Sequence, residues 1–251
     1  MKRYFFHIAY AGTHYHGWQV QENAHSVQGA LIDAFKSILG IENPAIMGCG
    51  RTDTGVHAKS FYFHMDLEQP LPFDLDQLVY KLNAVLPKDI VIYSATRLHD
   101  DAHARFDAVS RTYEYHMHTV KDPFSQNFST FYSKNCDAQL MNIACQYLIG
   151  KRDFTSFSKL HTDTHTNICE VYEAYWEQVD DKLVFTISAN RFLRNMVRAV
   201  VGTLLEVGEE KQPPEHIEKV LNAKDRSAAG ASAPADGLFL SKIKYPYPLK
   251  A

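Results

Sequence analysis

The residues best suited to chemistry stand together in Gly48-Cys49-Gly50-Arg51-Thr52-Asp53-Thr54-Gly55-Val56-His57-Ala58. Three glycines and two threonines in so short a stretch describe a loop with unusual backbone angles and close approach to a second group. Within it Arg51 and Asp53 set a guanidinium beside a carboxylate. A carboxylate held in this way can serve as a nucleophile. The plainer alternative is a structural turn, closed by an Asx hydrogen bond from Asp53. A second concentration lies near the arginines at 191, 194 and 198. On a helix running from about Arg191 to Val207, Arg191, Asn195, Arg198 and Gly202 form one stripe with Arg194 beside it. Leu193, Met196, Val197, Val200 and Leu204 form the opposite face. A basic stripe is usually solvated, but three arginines without an acid among them suit phosphate or a buried carboxylate better. Lys151, Arg152 and Lys159 extend the basic surface or are ordinary solvated side chains.

These groups need elements to hold them. Tyr4 to Tyr10 reads as a strand buried on both faces. Ser26 caps a helix with apolar positions Val27, Leu31, Ala34, Phe35, Ile38 and Leu39, stopped by Gly40. Strands are expected at Ser60–Met65 and Ile90–Ala95, with a helix between them that Asp74 can cap and Pro87 stops. The second half repeats the pattern loosely. Arg111 to Thr119 is a strand with Tyr113, Tyr115 and Met117 on one face. Asp137 caps a helix reaching Gly150, and Val171–Val179 with Leu183–Ala189 form a hairpin about Asp180-Asp181. After the long helix come a short one, Pro214 to Leu221, and a strand, Leu238 to Ile243. Hairpin-linked strands with helices to one side predict an α+β fold in two related lobes, residues 1–105 and 106–251.

Composition narrows the function. The chain has 251 residues, 45% of them hydrophobic and 22% charged, as a globular protein with a sizeable core has. The opening Met1-Lys2-Arg3-Tyr4-Phe5-Phe6-His7 lacks the apolar stretch of a signal peptide, and no apolar run approaches membrane-spanning length, so a cytoplasmic protein with no membrane partner is expected. Cys49, Cys136, Cys145 and Cys169 form no C-x-x-C pair and are expected reduced. The histidine pairs His14/His16, His99/His103, His116/His118 and His161/His165 do not join at metal-ligand spacing, and no metal or cofactor is expected. A formal charge of −3 leaves nucleic-acid binding to a local basic face.

The loop is one of several motifs in a characteristic order. Gly50-Arg51-Thr52-Asp53 with Gly55-Val56-His57-Ala58 resembles the signature of the TruA family of tRNA pseudouridine synthases. Tyr10-Ala11-Gly12-Thr13-His14-Tyr15-His16-Gly17-Trp18-Gln19 is similar to that family's opening segment. His103-Ala104-Arg105-Phe106 and Arg111-Thr112-Tyr113-Glu114-Tyr115 resemble two further motifs. Asp153-Phe154-Thr155-Ser156-Phe157 resembles a third, and Asn190-Arg191-Phe192-Leu193-Arg194-Asn195-Met196-Val197-Arg198 leading to Val201-Gly202 a fourth. The resemblance covers nearly the full chain.

It implies a pseudouridine synthase fold in which the lobes form a continuous, mainly antiparallel sheet flanked by helices. It implies an isomerase that converts uridine to pseudouridine in the anticodon stem-loop of tRNA as a homodimer. By the same resemblance Asp53 is the nucleophile, and Arg198 is a basic partner that would lower a carboxylate pKa. Tyr113 stacks on the flipped base, and Arg51 contacts the RNA where that base has left its stack. His57 orders the substrate-binding loop, and Arg191 and Arg194 are candidates for phosphate contacts. The chain departs from the family at Cys169, where many relatives carry a basic residue. A non-catalytic RNA-binding module and a small-molecule hydrolase are the competing readings. The first is opposed by Asp53, Arg51, Tyr113 and Arg198 occurring together. The second would need a partner acid or metal cluster that the sequence does not display.

Overall fold

A computed structural model describes residues 1–159 and 165–249. Of the histidine pairs, His161 lies outside the described residues. The chain divides into two compact units, Met1–Val109 together with the stretch from Leu240, and Ser110–Phe239.

The first unit contains β1 (Lys2–Tyr10), α1 (Val27–Leu39), the short β2 (Met47–Gly48), β3 (His57–Leu67), α2 (Leu75–Val85) and β4 (Ile90–Arg97). β1 pairs antiparallel with β3 on one side and β4 on the other. Strand alternation sends Phe6 and Phe63 to the face that α1 covers. Their rings stack at 4.9 Å, and Phe35 of α1 meets Phe6 edge-on at 5.2 Å. Phe35 is fully buried, so truncating it to Ala would cost about 3–5 kcal/mol. The helix limits follow local chemistry. Ser26 Oγ accepts the Gly29 N–H and Asp74 Oδ1 the Gln77 N–H, while Gly40 closes α1 at φ 69°. β3 is longer than Ser60–Met65 and already includes His57.

The opposite face of this sheet carries paired rings, Phe5 with His64 and His7 with Tyr62. His64 is buried, and its Nδ1 accepts the Ala104 N–H at 3.0 Å. Burial, with Arg3 and His103 nearby, pushes its pKa down to about 4. In the unfolded chain His64 titrates at ~6.5 and therefore takes up this proton first. The stabilisation is complete above that pH and is lost as pH falls towards about 4. Urea unfolding should show a decline across this window of up to ~1.4 kcal/mol per pH unit from His64. His64→Gln should flatten the decline; an unchanged slope would remove His64 as its source.

The second unit contains β5 (Ser110–His118), β6 (Thr130–Phe131), α3 (Ala138–Cys145), β7 (Gly150–Asp153), β8 (Ile168–Val179), β9 (Lys182–Ala189), α4 (Met196–Gly208) and α5 (His216–Ala223). Its strand order is β5-β9-β8-β7 with antiparallel pairing, and β6 runs parallel to β5. The expected hairpin joins β8 to β9, with Asp180 at φ 55° in the turn. Asp137 caps α3 through the Gln139 and Leu140 N–H groups.

The long helix differs from expectation. It starts at Met196 rather than near Arg191, because Asn195 sits in the left-handed region at φ 67°. A left-handed residue breaks the run of helical backbone bonds, and Asn is among the residues that tolerate it best. Residues 191–194 are not helical, so the proposed arginine stripe does not exist; only Arg198 and Gly202 ride on α4. The helix is also apolar almost all round, with Met196, Val197, Ala199, Val200, Val201, Leu204, Leu205 and Val207 buried. Such a helix is an internal one.

The last strand, β10 (Leu238–Lys244), lies beside β3 and extends the first unit's order to β4-β1-β3-β10. Both units thus combine mainly antiparallel strands with helices, the α+β class that the hairpin spacing implied. Among the described residues no helix is long and apolar enough to cross a membrane.

Candidate active site

Asp53 lies in the loop between β2 and β3, partly exposed, with Arg51 exposed beside it. The loop is clasped by the segment that follows β1. Tyr10 Oη and Thr52 Oγ1 share a hydrogen bond of 2.9 Å, and the Trp18 N–H donates to the Thr52 carbonyl at 3.2 Å. The Gly55 N–H donates to the Tyr15 carbonyl, and the Gly12 N–H to Nδ1 of the buried His57 at 3.0 Å. Within the loop the Val56 N–H closes a turn on the Asp53 carbonyl. Asp53 is therefore presented by a turn whose backbone is tied on both sides.

The glycines permit the close approach. A Cβ on Gly12 would fall 2.0 Å from the Val56 oxygen, and one on Gly17 2.4 Å from the Thr52 oxygen. Gly17 also has φ +89°, which L side chains rarely adopt. The clasp is anchored further out. Trp18 stacks on Phe61 at 4.2 Å, and Tyr15 Oη donates to Asp89 at 2.6 Å. Two stretches that look like separate motifs in sequence are one device. Gly17→Ala should displace Thr52 and Asp53 while leaving the helices intact. Turnover should fall roughly 10- to 100-fold with an unchanged far-UV spectrum; wild-type turnover would show that the clasp does not position Asp53.

Tyr113 lies half-buried on β5, and its ring meets Phe192 edge-on at 5.0 Å. Phe192 is placed by Asn190, whose N–H donates to the Glu170 carbonyl and whose Oδ1 accepts the Glu170 N–H. The non-helical path of 190–195 is thus what brings an aromatic edge to Tyr113. Arg191 is half-buried and Arg194 exposed.

Arg198, near the start of α4, is half-buried and donates from Nε to the Ala233 carbonyl at 2.6 Å. The Ala233 N–H returns a bond to the Arg198 carbonyl. Gly202 explains why residues 231–233 can lie against the helix, since a Cβ there would fall 1.7 Å from the Ala231 oxygen. Sequence reasoning missed the support of this segment. Arg226 donates to the carbonyls of Ala229 and Gly230 and to Ser232 Oγ, which also accepts from Asn195 Nδ2. A lone arginine in Lys224-Asp225-Arg226-Ser227 carries no pattern that would have marked it.

The Asp153–Phe157 motif is also structural on this geometry. Asp153 accepts from the Thr155 N–H and Oγ1, and buried Ser156 donates to the Val220 carbonyl. Cys169 is buried opposite Arg152, and burial pushes its thiol up to about 11, with Arg191 pulling the other way. A thiol that hard to ionise is a packing group.

Comparison with known proteins agrees with this arrangement of motifs. Residues 144–246 match the model of a family described as tRNA pseudouridine synthase. The chain is 49% identical over 247 residues to tRNA pseudouridine synthase A of Bacteroides fragilis, covering 98% of this chain and 97% of that one. It is 48% identical to the protein of that name from Parabacteroides distasonis, at 98% and 97% coverage. It is 39% identical to that from Bacillus pumilus, at 95% and 97% coverage. Among solved structures, a Cbf5-Nop10-Gar1 complex gives a TM-score of 0.34 at 10% identity, covering 80% of this chain and 54% of that chain; so low a score decides nothing. The chain belongs to the tRNA pseudouridine synthase A family, a family of isomerases.

Proposed function

We propose that this protein isomerises uridine to pseudouridine in the anticodon stem-loop of tRNA, with Asp53 as nucleophile. The observation that carries the proposal is the clasped turn, a partly exposed carboxylate on backbone held by Tyr10, Gly12, Tyr15 and Trp18. A nucleophile gains most when its position is set before substrate arrives.

The reaction balances without a co-reactant. The bond from ribose C1′ to N1 breaks, the base turns, and C1′ bonds to C5. Asp53 forms a covalent bond to the nucleotide that breaks again before product leaves, so its carboxylate ends unchanged, while C5 gives up a proton and N1 acquires one. No oxidant, cofactor or metal is required by this balance. The target base must leave its stack, which costs a few kcal/mol. Arg51 occupies the vacated space and Tyr113 stacks on the base. His57, buried and bonded to the Gly12 N–H, positions the loop. Arg198 serves the reaction step, while Arg191 and Arg194 hold phosphate. The working form is a homodimer in the cytoplasm.

The test is to incubate purified protein with unmodified tRNA and map pseudouridine at each position. Product confined to the anticodon stem-loop is expected. Product only elsewhere would overturn the assignment of substrate region, and no product would overturn the activity.

A further inference from the structure

The turn His103–Phe106 is held more tightly than its length requires. Ala104 is fully buried; its N–H donates to His64 Nδ1 at 3.0 Å and its carbonyl accepts from Tyr245 Oη at 2.6 Å. His103 Nδ1 accepts the N–H groups of both Arg105 and Phe106, at 3.1 and 3.2 Å. The His103 N–H donates to Asp107 at 2.7 Å, and the same carboxylate accepts from Tyr247 Oη at 3.0 Å. At the tip of this pinned turn Phe106 is 74% exposed, with exposed Arg105 beside it.

A single exposed apolar side chain is ordinary. Phe106 differs in being the outer end of a column of rings rooted in the sheet. Phe5 and His64 stand 5.6 Å apart, His64 and His103 4.7 Å, and His103 and Phe106 4.3 Å. The Arg105 guanidinium lies 5.6 Å from the Phe106 centroid, leaving most of the ring uncovered.

We propose that Phe106 is a stacking platform for an unpaired base of the RNA substrate, with Arg105 reaching a flanking phosphate. An aromatic face with an adjacent cation is the chemistry by which single-stranded nucleotides are held, and it tolerates any base. A ring fixed in advance loses little freedom when the base arrives. The platform rests on the tRNA reading above and adds a contact outside the Asp53 loop.

The test compares wild type with Phe106→Ala, Phe106→Trp and Arg105→Ala. Phe106→Ala should weaken tRNA binding by roughly 5- to 100-fold, falling on KM more than kcat, with an unchanged thermal midpoint. Phe106→Trp should restore affinity, and its added indole emission should be quenched by tRNA but not by fully duplex RNA. Arg105→Ala should flatten the dependence of log affinity on log salt by about 0.7–0.9. The proposal is overturned if Phe106→Ala binds normally while wild type forms pseudouridine, or if the added indole is indifferent to tRNA. It is overturned equally if Phe106→Ala turns a dimer into monomers, since a second copy then covers the ring. Failure of the tRNA reading looks different: wild type forms no product, and titrating the Phe106→Trp protein with a single-stranded oligonucleotide still decides the platform.

Discussion

Asp53→Asn should abolish pseudouridine formation and leave tRNA affinity within a few-fold of wild type. The amide has the size and shape of the carboxylate, and the backbone bonds from Val56 N–H to the Asp53 carbonyl and from Trp18 N–H to that of Thr52 do not pass through the carboxylate. The loop should therefore keep its course. What is lost is the negative oxygen that, on the proposed mechanism, attacks the nucleotide. Removing a nucleophile from a residue set that acts as a unit costs on the order of 10⁴-fold or more in turnover. Single-turnover pseudouridine formation and equilibrium binding, measured on the same preparation, separate the two quantities. Sustained multiple turnover by Asp53→Asn would end its assignment as nucleophile.

The second large effect separates the arginines. Arg198→Ala should collapse turnover far more than binding, by roughly 10²–10³-fold if a preorganised charge is lost. Arg191→Ala and Arg194→Ala should weaken binding and flatten the salt dependence, by roughly 0.9 in log–log slope per phosphate contact on duplex regions. Their turnover at saturation should be largely retained. The three side chains are placed differently: Arg198 rides on α4 and is bonded to Ala233, whereas Arg191 and Arg194 lie on the non-helical approach to it. Affinity across a salt series and single-turnover rates for all three variants decide the matter. Equal losses of binding at a common rate would make Arg198 another phosphate contact.

The parts of the fold that local chemistry determines were legible in the sequence. Ser26, Asp74 and Asp137 were each readable as caps because a short polar side chain ahead of an apolar run has few other uses, and each accepts the expected backbone N–H. The Asp180-Asp181 hairpin followed from alternation on both sides of a polar pair. Periodicity failed at α4 because Leu193 fits the apolar face as well as Met196 and Val197 do. A single left-handed Asn leaves no mark on such a pattern, although the Asn itself was a usable hint. The loop's importance was visible from its own glycines, but not its dependence on the glycines of a second stretch. That Gly12 and Gly17 make room for Val56 and Thr52 depends on contacts between stretches some forty residues apart. No local rule would have sent the stretch from Leu240 back to the first unit.

That return has a consequence for how the protein is made. On the ribosome, β1, β3 and β4 emerge early, but the strand beside β3 is translated more than a hundred residues after Val109. During that interval only the short β2 pairs with β3 away from β1, at Phe63 and His64, and the rest of that edge presents unpaired N–H and C=O groups, a template for any passing strand. Tyr245 and Tyr247, which hold Ala104 and Asp107, arrive later still. The first unit is begun first and finished last, and its vulnerable period is set by the speed of translation through the second.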